Sequence, residues 1–304
     1  AAIAAPAAAG LLLLAACGGS PADSNSATPQ AGSAGTDGAS GTGSPSGTIT
    51  VFAAASLQES FTRIGKDFEA ANPGTEVAFS FGPSSGLARQ ITSGAPADVF
   101  ASASQSIMTQ VADANAAENP TTFAKNVLEI AVPPDNPGKV ESLGDLAEPK
   151  VKVALCQEQV PCGTVSAELF EKTGLDVTPV TRENDVKAVL TKVQLGEVDA
   201  GLVYATDVKA SGDKVKGIAL PPDTDASTSY PVAVLTDAPN KQGAQAFVDY
   251  VLSPEGAAVI ADAGFAALDE AMLPVVANRM DPLWAGDVYC SVIHICEGLG
   301  DLTR

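Results

Sequence analysis

The chain has 304 residues with 36 acidic and 17 basic side chains, a formal net charge of −19 and a pI near 4.2. That length allows two lobes with cores of their own. The charge excludes nucleic acid as a partner, since no basic stripe can track phosphates; it leaves small anions open, because a buried site responds to local dipoles rather than to net charge.

The first residues end in the apolar run Leu11 to Ala16 followed by Cys17. The run is too short to span a bilayer and reads as part of a secretory signal over residues 1–17. Leu14-Ala15-Ala16-Cys17 resembles the lipobox of bacterial lipoproteins. The resemblance implies cleavage before Cys17, lipid on its sulfur and an extracytoplasmic, membrane-anchored protein; an ordinary signal with an incidental cysteine is the alternative. Residues 18–47 are almost wholly Gly, Ser, Ala, Thr, Pro, Asp and Asn. Such a segment cannot bury enough apolar surface to offset its chain entropy. As a coil it reaches about 30 Å, which suits a tether. No later segment is long and apolar enough to cross a membrane.

Thr48 to Ala55 reads as a buried strand. The following helix carries Leu57, Phe61, Ile64 and Phe68 on one face. Ser56 with Glu59 three residues on predicts a capping box at its start. Asn72-Pro73-Gly74 ends the helix, and Glu76 to Phe81 is the second strand. A helix over Ser85–Thr92, a strand over Ala97–Ala101 and a helix over Ser104–Ala114 follow. The alternation predicts an α/β fold with mostly parallel sheets.

Asn126 to Val132 and Tyr230 to Leu235 read as two crossings between lobes. Between them come a strand at Val151–Leu155, a helix at Thr164–Lys172, a helical face of Val186, Val189, Leu190 and Val193, and a strand at Ala200–Tyr204. Helices over Gly243–Leu252 and Pro254–Ala261 close the fold. The expected division is residues 48–126 with 235–268 in one lobe, 127–234 in the other, and 269–304 as an extension.

Two serine segments carry the functional signal: Phe52-Ala53-Ala54-Ala55-Ser56-Leu57 and Phe81-Gly82-Pro83-Ser84-Ser85-Gly86-Leu87. Each places a hydroxyl where a strand runs into a helix, and neither contains Lys or Arg. Helix starts offer free N–H groups and the positive end of the dipole, so two of them aimed at one point hold an anion without formal positive charge.

These segments, with Gly94-Ala95-Pro96-Ala97-Asp98-Val99-Phe100, Val160-Pro161-Cys162-Gly163, Glu183-Asn184-Asp185-Val186, Gly201-Leu202-Val203-Tyr204 and Tyr230-Pro231-Val232-Ala233-Val234, resemble in order the periplasmic molybdate-binding proteins of ABC transporters over residues 48–268. The resemblance implies a two-lobed periplasmic-binding-protein-like fold with a ligand cleft between the lobes. It implies molybdate or tungstate as ligand, no cofactor and no free metal cation (molybdenum entering only as its oxyanion), an ABC permease as partner, a monomeric state and a binding protein rather than an enzyme. Carried over by position, Ser56 and Ser84 donate through hydroxyl and N–H, Cys162 and Val186 through N–H, and Tyr204 through its phenol. A tetrahedral dianion only accepts hydrogen bonds, and each of these groups supplies a donor.

Each has a plainer reading: Ser56 as a helix cap, Tyr204 as a core tyrosine, Val186 as core. Sulfate is the rival ligand. A serine hydrolase is the rival class, weakened because the only histidine, His294, falls in the last segment. Cys156 and Cys162 are a disulfide candidate in an exported protein, worth about 2 kcal/mol, with free thiols the alternative. Cys290, His294 and Cys296 lack zinc spacing and a fourth ligand; a second disulfide is the other reading of the two cysteines.

Overall fold

The computed structural model describes residues 44–266 and Leu268. The signal and lipobox reading, Cys17, most of the tether, and Cys290, His294 and Cys296 fall outside the described residues.

Strand β1 (Gly47–Ala54) leads through a 3-10 turn, Ala55–Leu57, into α1 (Gln58–Ala71). Then follow β2 (Thr75–Gly82), α2 (Ser84–Thr92), β3 (Val99–Ala101) and α3 (Gln105–Asp113). The long β4 (Ala117–Val132) runs on to β5 (Val153–Cys156), α4 (Pro161–Thr173), β6 (Thr181–Glu183) and α5 (Val186–Gln194). The chain continues through β7 (Ala200–Tyr204), α6 (Ala205–Ser211), β8 (Lys216–Ala219) and β9 (Ser227–Leu235), and closes with α7 (Lys241–Val251) and α8 (Pro254–Asp262).

The strands join in the order β2-β1-β3-β9-β4-β7-β5-β6, with β8 also on β4. Outer strands pair in parallel: β1 with β2 and β3, β5 with β6 and β7. Each of these pairs is bridged by a helix, as parallel neighbours require. The pairs that β4 and β9 make are antiparallel. The sheet is therefore mixed, because the two long strands enter it against the direction of their neighbours.

Two apolar cores result. The first gathers Ile49, Val51, Leu57, Phe61, Ile64, Phe68, Phe100, Met108 and Phe247. The second gathers Ile130, Val132, Val153, Leu155, Val189, Leu202 and Val203. Strand β4 serves both: Ala124 packs in the first core and Leu128 in the second. Tyr230, Val232, Ala233 and Val234 pack in the first core, and the last three pair with β3. The return to that core thus precedes Tyr230, earlier than the boundary at 234 expected from sequence. The apolar run from Tyr230 is needed to complete the first sheet.

Buried Asp98 ties the first half together. Its Oδ2 accepts from Thr50 N at 2.7 Å and its Oδ1 from Asn240 N at 2.6 Å. One carboxylate thereby satisfies N–H groups of β1 and of the α7 entry, which a buried backbone requires.

Phe61 is fully buried against Phe79, Phe123 and Phe247. Phe61→Ala is expected to cost about 3–5 kcal/mol, read as a lower urea midpoint with an unchanged slope. A loss below about 1 kcal/mol would show that this aromatic cluster is not what holds the first core.

Candidate functional site

Ser56, Ser84, Cys162, Val186 and Tyr204 line one cavity of about 20 Å³, together with Ala54, Ala55, Gly82, Pro83, Ala103, Val160, Pro161 and Asp185. Each of the first five is at least 95% buried: Ser56 5%, Ser84 1%, Cys162 3%, Val186 3% and Tyr204 1% exposed. The cavity suits one small compact group and is far below what a drug-sized ligand occupies.

Helix starts surround it. Ser84 and Val186 are the first residues of α2 and α5, and Cys162 is the second of α4. N–H groups at these positions have no carbonyl within their own helix to reach. Dipole ends from both halves therefore point at one place.

Local chemistry fixes each start. Pro161 opens α4, where its missing N–H costs nothing. Asp185 caps α5, its Oδ1 accepting from Ala188 N at 2.9 Å. Gly163 lies under the loop before α4: a Cβ there would stand 1.9 Å from the Gln157 carbonyl oxygen. The same loop is closed by a Cys156–Cys162 disulfide, so the Cys162 amide is held from two sides.

The structure also corrects the expected cap of α1. Ser56 does not form a capping box with Glu59. It sits inside the 3-10 turn, and α1 begins after Leu57 with no side-chain cap. Its Oγ lies 2.8 Å from Tyr230 Oη. A tertiary hydrogen bond has displaced the local one, and Glu59 is engaged elsewhere.

The hydroxyls are poised to donate. Ser84 Oγ accepts from Ala103 N at 3.0 Å, which leaves its own proton for another acceptor. Tyr204 packs edge-on to Tyr230, with ring centroids 6.1 Å apart. Its Oη meets no partner at hydrogen-bonding geometry, although it is buried. Burial, with the neighbouring Tyr230 and Asp207, holds this phenol well above the usual tyrosine range, so it stays a donor. A buried polar atom without a partner calls for an explanation, and a ligand oxygen is a natural one.

Sequence reasoning missed the ionic group beside the cavity. Lys187 follows Val186, and its Nζ lies 2.8 Å from both Glu59 oxygens and 2.9 Å from Asp207 Oδ1. Burial alone would depress Lys187, but the two carboxylates outweigh it and raise its pKa. Asp207 Oδ2 accepts from Tyr204 N at 3.1 Å. Burial pushes Asp207 up to about 6, against the pull of Lys187. No periodicity marks such a group, since Glu59 and Lys187 are 128 residues apart. Asp185 was missed as a lining residue as well; its capping role is the visible signal.

A raised carboxyl favours the folded state when protonated. Its contribution is complete below the ordinary value of 3.8 and is lost as pH rises through about 6. The parent is therefore expected to gain thermal stability over Asp207→Asn between about pH 7.5 and about pH 4.5. A melting difference that stays constant across that range would mean that Asp207 titrates as an ordinary surface carboxyl.

Comparison with known proteins gives the family. The family described as bacterial extracellular solute-binding protein matches residues 49–266. The molybdate-binding protein ModA of Mycobacterium tuberculosis is 43% identical over 219 residues, covering 72% of this chain and 84% of that protein. The molybdate-binding protein ModA of Escherichia coli is 34% identical over 231 residues, covering 72% and 89%. Among solved structures, the periplasmic molybdate-binding protein of Azotobacter vinelandii shares the fold with a TM-score of 0.65 at 21% identity, over 73% of this chain and 100% of that one. With a cavity of convergent helix starts between two α/β halves and these matches along its folded length, the chain belongs to the bacterial extracellular solute-binding proteins.

Proposed function

We propose that this protein binds molybdate, and tungstate nearly as well, outside the cytoplasm and delivers it to an ABC permease. The observation that carries the reading is the unpartnered, buried Tyr204 hydroxyl at a cavity that two serine hydroxyls and three helix starts also line. Ser56, Ser84 and Tyr204 are the hydroxyl donors; Ser56, Ser84, Cys162 and Val186 supply N–H groups. Donors alone match a fully deprotonated tetrahedral dianion, and they disfavour an oxyanion that keeps a proton and needs an acceptor. Asp185, the carboxylate of the lining, is occupied as a cap. The names of the relatives at 43% and 34% identity point to the same ligand. Sulfate, of like shape and charge, is the second reading.

The proposed role is carriage without chemistry. Both serine oxygens are hydrogen-bonded to groups that cannot act as a general base at neutral pH, a raised-pKa phenol and a backbone N–H. No cofactor or metal cation is required, and a monomer suffices because one chain supplies the whole donor set. Calorimetric titration with molybdate, tungstate, sulfate and phosphate tests the ligand. Molybdate and tungstate are expected to bind far more tightly than sulfate, and phosphate hardly at all. Tyr204→Phe should fold like the parent and bind molybdate about ten- to a hundredfold more weakly, the loss of one charge-assisted bond. Equal affinity for sulfate and molybdate, or a Tyr204→Phe variant that binds like the parent, would overturn this reading.

Lipid on Cys17 would hold the protein at the membrane it serves, with residues 18–47 as tether. The support is the Leu14-Ala15-Ala16-Cys17 sequence. Protein carrying that segment, expressed in a bacterium that processes lipoproteins, is expected to partition into detergent, and Cys17→Ser to remain aqueous while still binding ligand. Identical partitioning of the two would remove the anchor.

A further inference from the structure

The Ser56 hydroxyl does not face the cavity alone. Behind it lies a buried polar chain: Tyr230 Oη at 2.8 Å, Asn126 Nδ2 at 3.5 Å from that phenol, and Thr206 Oγ1 at 2.8 Å from Asn126 Nδ2. All four residues are buried, with exposures of 5%, 0%, 1% and 5% in that order. The chain runs from the β1 end, through both long strands, to the first turn of α6.

Chemistry fixes the amide end of this chain. Asn126 Oδ1 accepts from Val127 N at 3.1 Å, which fixes the amide with Nδ2 toward Tyr230 and Thr206. That nitrogen can only donate. The Tyr230 oxygen therefore receives on the Asn126 side; between Tyr230 Oη and Ser56 Oγ either oxygen can donate, and an anion in the cavity, which only accepts, selects the arrangement in which Tyr230 donates to Ser56. Burial drives the Tyr230 phenol far above the usual range, so that proton is always present. With its oxygen accepting from Tyr230, Ser56 must send its own hydrogen elsewhere, and the open direction is the cavity it lines.

We infer that Tyr230, backed by Asn126, is a positioning residue that orients the Ser56 hydroxyl as an obligate donor to the anion. The inference rests on the reading of the cavity as an oxyanion site and extends it to residues that do not line it. It also makes the site selective: a serine free to rotate would accept from a protonated oxyanion as readily as donate to a deprotonated one.

A double-mutant cycle tests it, with molybdate affinity measured by calorimetry and folding by thermal melting. Tyr230→Phe is expected to lower affinity about tenfold in the parent and less than about twofold in Ser56→Ala, because the phenol acts through that hydroxyl. In the same Tyr230→Phe variant, inorganic phosphate should displace molybdate more readily relative to its effect on the parent, a ratio that general loosening would not move. If Tyr230→Phe folds poorly, Asn126→Ala reads the same coupling with a smaller loss, also absent in Ser56→Ala. An equal loss in both backgrounds, with an unchanged phosphate ratio, would overturn the inference, as would a Tyr230→Phe variant that binds like the parent. If Ser56→Ala melts and binds like the parent, or the parent binds neither molybdate nor tungstate, the reading of the cavity itself fails and the inference goes with it. If Ser56→Ala abolishes measurable binding, the phosphate ratio alone decides.

Discussion

The antiparallel pairing of β4 with β9 is the constraint on which the molecule rests. The two strands run side by side from Ala117 opposite Leu235 to Val127 opposite Ser227, with register shifts near Thr121 and Ala124. Beyond that stretch β4 joins β7 and β8. Strand β4, paired with β9 on one side and with β7 and β8 on the other, carries the chain from one core to the other and leaves each core's helices on its own side. Helices α2, α4 and α5 then start where the two halves meet, and their unpaired N–H groups have nowhere to point but inward. The cavity follows from the crossing, and its donor character follows from helix polarity.

The same crossing forces polar atoms into the interior. Asn126 and Tyr230 sit on the paired stretch of β4 and β9, opposite Thr228 and Ala124 respectively. Buried polar groups are tolerable only when they satisfy one another. Here the satisfied chain ends at Ser56 on one side and at Thr206 on the other, so support of the structure and orientation of the site are one arrangement. Tyr204 is the exception in this neighbourhood, being buried without a partner. That contrast is the ground on which Tyr204 is proposed as a ligand donor.

Much of this was legible in the sequence. The amphipathic face of α1, the strand-to-helix junction at Ser84 and the end of the strand at Tyr204 lie where hydrophobic spacing put them, because their cores are local in sequence. Hydrogen bonding across long separations was not legible. The Ser56–Glu59 spacing obeyed a rule of local capping, yet Tyr230, 174 residues away, took the serine oxygen. The first half of β4, Ala-Glu-Asn-Pro-Thr-Thr, lacks the apolar run of a strand; it is extended because β9 supplies the ladder. Strands β6 and β8 have only partly buried or exposed residues, so no pattern announced them. Lys187 follows Val186 with no spacing that marks it, and only folding brings it between Glu59 and Asp207.

The Lys187 bridge links the two cores. Glu59 belongs to α1 on the first core and Lys187 to α5 on the second, so any widening of the gap between the halves stretches this pair. Its lysine is sheltered, while its glutamate is half exposed, at 19% and 51%. Mobile ions reach such a pair and weaken it. Ionic strength therefore acts on the contact between α1 and α5, and the medium outside the protein sets in part how firmly the two cores are held together at this point.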